Sequence, residues 1–211
     1  MSEQRVPDRG DRFALTAVAI AAAIVAVGSV VMTVLLAVEA FGSTNLLISG
    51  FEVENGSSPD FLADAAGVID SHYTTVTLTV VEPGGVVRLL YFVSGSLHQL
   101  MVLVVAGAVS WLAWRTATGR PFVRSATIAV MLAAVAVLAG GAFGDLLQGI
   151  TRAEVVAGLG ENAIATDTSE GLLALMVSST LGWLGWGLAL GVIAQVLWIG
   201  ERMQKDTEGL V

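Results

Sequence analysis

Four stretches of this chain run without a charged side chain for long enough to cross a bilayer. They lie between Arg12 and Glu39, between Arg88 and Arg115, between Arg124 and Asp145, and between Glu170 and Glu201. A spanning helix needs roughly 20 mostly apolar residues, which places spans at about 13–40, 89–114, 125–143 and 172–200. Composition agrees, because 55% of the 211 residues are hydrophobic and only 13% are charged. One soluble core of this size cannot enclose that much apolar surface. The expected fold class is an integral membrane protein, mainly α: a four-transmembrane-helix bundle with a small extracellular β-containing cap, forming a single membrane domain over residues 1–211. The first stretch far exceeds the 7 to 15 or so apolar residues of a signal peptide, so it is expected to be retained.

Orientation follows from the basic residues, which collect on cytoplasmic flanks. Arg5, Arg9 and Arg12 precede the first span, Arg115, Arg120 and Arg124 fill the short turn at 115–124, and Arg202 and Lys205 follow the last span. The other two loops carry only Arg88 and Arg152, against twelve carboxylates. Both termini are therefore expected in the cytoplasm. Arg outnumbers Lys nine to one, as in GC-rich bacteria, so the membrane would be a bacterial plasma (inner) membrane. A net charge of −8 opposes direct binding of nucleic acid, itself a polyanion. The absence of cysteine excludes disulfides, thiolate nucleophiles, zinc-thiolate sites and iron–sulfur clusters.

The outer loop at 41–88 has room for a small cap. Thr75, Thr77 and Thr79 alternate with Val76, Leu78 and Val80, the period-two pattern of a half-buried strand. Residues 46–53 make a plausible partner strand, and apolar residues between Asp60 and Ile69 recur at helical spacing. The outer loop at 144–171 contains Arg152 to Gly158, compatible with one or two helical turns packed against the cap.

Polar groups at membrane depth are costly and so are functional candidates. His98 and Gln99 lie near the middle of the second span, with Ser94 one turn from His98; Ser29 and Thr33 share a face of the first span, Asp145 ends the third and Ser178 lies in the fourth. On the expected topology these residues could line a polar cavity open to the outside. The alternative is structural: Ser and Thr bond their own preceding turn, and His or Gln joins neighbouring helices for about 1 kcal/mol. Glu39 and Asp145 equally suit solvated span ends. Ala136, Gly140 and Gly144, and Gly187 with Gly191, recur every four residues, which suits close helix packing or a dimer face. Trp183 and Trp186 read as core or lipid-facing bulk. A phosphate-binding glycine loop, a His-Glu-x-x-His motif and a credible catalytic triad are all missing from the sequence, so no enzyme activity and no cofactor are expected.

Gly119-Arg-Pro-Phe122 and the ending Gly200 to Val211 together resemble a bacterial four-span membrane family, domain of unknown function 2975. The resemblance implies an N-terminal span, an outside loop with a strand, a Gly-x-Pro-Phe turn and an acidic tail. It also implies, through neighbouring genes for small helix-turn-helix regulators, a cytosolic partner of that class. The contact residues it suggests are Gly119, Pro121 and Phe122 in the turn and Arg202, Gln204, Asp206 and Glu208 in the tail. A bland origin stands beside this: Gly119 and Pro121 make a tight turn, and Arg120 and Arg124 sit at headgroups. The expected role is a non-enzymatic sensor or regulatory partner; the alternatives are a transport or channel subunit using the cavity around His98, or a structural assembly factor. The bilayer is the expected surrounding, and homo-oligomers are compatible with the small-residue faces.

Overall fold

The structure is a computed structural model that describes residues 9–54, 72–118, 124–160, 163–165, 171–173 and 181–208. In chain order the elements are helix α1 (Arg9–Gly42), strands β1 (Asn45–Glu54) and β2 (Thr75–Val81), helices α2 (Gly85–Ala117) and α3 (Arg124–Leu159), strand β3 (Gly171–Leu172) and helix α4 (Gly182–Glu208). The protein is mainly helical, and all four helices are long and apolar enough to cross a membrane. Their outward faces are apolar too, with Ile24 66% exposed. Water does not tolerate continuous patches of this kind on a monomer.

Two boundaries differ from the sequence expectation. The third helix does not stop near Phe143 but continues to Leu159, where Gly160 takes a left-handed φ of +89° and ends it. Loss of membrane hydrophobicity after Asp145 is no reason for a helix to end; Thr151, Val155 and Val156 are buried and keep one face apolar. At the other boundary, Leu172 does not open the fourth helix. It pairs with Val53 in β3 and bridges Ile164, and α4 starts at Gly182. The helix expected within 60–69 lies outside the described residues.

The chain divides into two units. The first comprises Met1–Leu35, Gly95–Gly144 and Thr180–Val211. Its helices approach where glycine removes bulk. A Cβ built on Gly187 would lie 2.5 Å from Leu138 Cδ2, one on Gly141 would collide with the Trp183 side chain, and one on Gly140 would lie 3.2 Å from Met101 Cβ. Ser110 ties α2 to α1, its hydroxyl donating to the Ala19 carbonyl at 2.9 Å.

The second unit comprises Leu36–Ser94 and Asp145–Ser179. It holds an antiparallel sheet in the order β2-β1-β3. Leu46, Ile48 and Phe51 of β1 form its core with Val87 from α2 and Val155 and Val156 from α3. Residues 46, 48 and 51 do not follow a period of two. Ile48 pairs with Leu78 but Phe51 with Val76, so β1 carries one extra residue there. The bulge includes Gly50 at φ +80° and returns Phe51 to the buried face.

Candidate functional site

Two arginines organise the second unit, and they are the two basic residues that stood apart from the rest in the acidic loops. Arg88, in the first turn of α2, donates from Nη1 to the carbonyls of Ala40 and Ser43 at 2.7 and 2.8 Å, and from Nε to that of Pro83 at 3.1 Å. Its cation sits at the C-terminal end of α1, where the helix leaves carbonyls unpaired and the dipole favours positive charge. Arg152, on the extension of α3, donates from Nε to the carbonyl of Ser49 at 3.1 Å. Its guanidinium lies where a side chain at residue 50 would be, with Nη2 2.6 Å from the position of a Cβ. The bulge, the left-handed glycine and the arginine are therefore one device. Burial works against the charge of this guanidinium, and the carboxylates of Glu52 and Asp145 offset part of that cost. Nearby, Tyr91 Oη donates to Glu39 Oε1 at 3.2 Å, and Phe41 meets Phe92 with ring centroids 5.5 Å apart.

The expected polar cavity fares differently residue by residue. Ser29 is buried and donates to the Ala26 carbonyl, Thr33 donates to Ser29 and Ser94 donates to Tyr91, all within their own helices. Their protons are committed locally, as the structural alternative anticipates. His98 is exposed, Gln99 and Asp145 are half-buried, and Ser178 lies outside the described residues. The enclosed hydroxyl without a hydrogen-bond partner, among the described residues, is that of Ser96, which the spacing argument passed over. Three or more His, Asp or Glu side chains able to hold a metal ion do not gather among the described residues.

Of the expected cytoplasmic contact residues, Gly119, Pro121 and Phe122 lie outside the described residues. Arg202 is exposed on α4 and its Cζ lies 6.0 Å from the Trp198 ring centroid. Gln204, Asp206 and Glu208 fall on the last turns of α4. Arg115 stacks on Trp111 at 4.7 Å. Sequence reasoning weighed Arg88 and Arg152 as charges and missed them as ties to backbone carbonyls. The available signal was their isolation: an arginine that breaks a charge pattern needs a local reason.

Compared with protein-family models, with characterised proteins and with solved structures, the chain finds no match.

Proposed function

We propose that the protein is a multi-pass component of the bacterial plasma membrane with both termini in the cytoplasm, acting as a non-enzymatic sensor or regulatory partner of a cytosolic protein. The length and apolarity of four helices support insertion. The gathering of eight basic residues in and before the first turn of α1, from the end of α2 to the start of α3, and near the end of α4 supports the orientation. The β-containing unit then faces outward as the input.

One observation carries the sensing role. The core beneath β1 is made by side chains of α2 and α3, helices that continue without interruption through Ala117 and back to Arg124. A ligand or protein that displaces β1 therefore acts directly on two helices whose far ends flank residues 118–123. Those residues and the tail after Trp198 would present the altered surface to the partner. The resemblance stated above suggests a helix-turn-helix regulator as the partner class.

Affinity purification of the full chain from native membranes in mild detergent, followed by mass spectrometry, tests the proposal. Recovery of a soluble DNA-binding regulator, lost when Arg202 to Val211 are deleted, is the expected result. Recovery of the chain alone, or with transport components, removes the regulatory mechanism.

A further inference from the structure

Among the described residues a cleft of about 670 Å³ runs between α3 and α4. Its lining includes Ala134, Gly187 and Gly191, and at one end Thr127, Gln195 and Trp198. The two glycines do different work. Gly187 admits Leu138 at contact distance, whereas a Cβ on Gly191 would meet nothing within 4 Å. The cleft is thus partly the volume of a side chain that residue 191 lacks. From Thr127 to Leu138 it follows α3 for about 16 Å at the helical rise, and its walls are aliphatic.

Polarity is confined to one end. Thr127, Gln195 and the Trp198 indole sit there, and Arg202, one turn further along α4, holds its guanidinium over that indole at 6.0 Å. An arginine stacked on a tryptophan at the end of an apolar helix is suited to the headgroup level of a bilayer. A long apolar slot ending in a cation matches one chemistry: a hydrocarbon chain joined to an anion. With the chain at net −8, such a lipid would be repelled over most of the surface, and Arg202 at this end of α4 is the attractive exception.

We propose that the α3–α4 cleft binds an acyl chain of an anionic phospholipid, with Arg202 at its phosphate. The site rests on the membrane reading above. It would make the conformation of α4, and of the tail beyond it, responsive to lipid composition.

Native mass spectrometry of the full chain in detergent, with phosphatidylglycerol and phosphatidylcholine added in turn, tests the site. The intact protein should retain phosphatidylglycerol about fivefold better than phosphatidylcholine, the worth of one interfacial cation. Arg202→Gln should abolish that preference while leaving a lipid bound. Gly191→Leu, whose Cβ would meet nothing within 4 Å and whose side chain would occupy part of the cleft, should lose both lipids while keeping the thermal unfolding of the intact protein. Unchanged preference in Arg202→Gln overturns the proposal. So does unchanged retention in Gly191→Leu, or a change of particle mass by one protein copy with lipid retention unaltered, which assigns the cleft to a second copy. A chain that stays monodisperse without detergent removes the membrane reading itself; a detergent-dependent chain whose variants behave as the intact protein removes the lipid site alone.

Discussion

Truncating Phe51 to alanine tests whether the β-containing unit is held by the core beneath β1. Phe51 is 2% exposed and lies among Leu46, Ile48, Val87 and Val156. Removing a buried phenyl ring costs about 3–5 kcal/mol, combining lost transfer energy with the cavity left behind. If opening of this unit limits exchange of the β1 and β2 amides, that cost accelerates exchange between about a hundredfold and a few thousandfold, at a factor of ten per 1.4 kcal/mol. Hydrogen exchange read by mass spectrometry on the full chain in detergent measures it directly. Leu47→Ala is the matched control, because Leu47 precedes the bulge on the opposite face of the same strand and is 59% exposed. It should change exchange by less than about threefold, in line with surface substitutions within 0.5 kcal/mol or so. Equal acceleration by the two variants would refute the assignment of faces, and no acceleration by Phe51→Ala would refute the core.

Other perturbations follow from single contacts. Arg88→Gln should loosen the end of α1 by about 1.5–3 kcal/mol, the range for hydrogen bonds to a charged group, read as faster proteolysis near Ser43; Arg88→Lys should not restore it, since an ammonium lacks the fork that reaches three carbonyls. Gly50→Ala should destabilise the second unit through both its φ of +80° and the guanidinium beside it, and a double-mutant cycle with Arg152→Ala should show a coupling of about 0.5–3 kcal/mol; strict additivity would separate the bulge from the arginine. Gly187→Val should lower the thermal stability of the helical unit by about 1–3 kcal/mol, whereas Gly185→Val, with open space around it, should not cost a comparable amount. His98→Leu should leave thermal unfolding and particle size unchanged, because the ring is exposed; a loss near 1 kcal/mol or more, or a smaller particle, would reveal an interhelical partner.

Much of the architecture could be read from local patterns. Charge-free length marked four helices, and the alternation of Thr75, Thr77 and Thr79 with Val76, Leu78 and Val80 marked β2 within two residues of its start. What escaped depended on tertiary context. Hydropathy ended the third span at Phe143 because it registers suitability for lipid, while α3 persists on hydrogen bonding and a buried stripe through Thr151 and Val155. Leu172 looked like the start of a span, yet it serves the sheet. Gly171 permits that, since a side chain there would strike the backbone of Ala165. The candidate site was less legible still. Polar residues at membrane depth were found by type, but whether a hydroxyl faces a cavity or its own helix depends on a rotamer that spacing does not encode. Apart from the contact of Arg88 with Pro83, the arginine ties join residues 45 to 103 positions apart, a separation at which no periodicity signals contact.

The extra residue in β1 also says something about parity. From Ile48, an uninterrupted strand would bring the second following residue to the same face; here it is the third, Phe51, that arrives there. Deleting Gly50 would therefore restore a regular ladder and still keep Phe51 inward opposite Val76. The sheet gains nothing from the additional residue. Its beneficiary is α3, which finds in the bulge an outward-turned carbonyl at Ser49 and an empty place for a guanidinium. A change of one residue in length thus adds or removes a polar latch between the sheet and α3, while the apolar core shared with Val155 and Val156 stays in place.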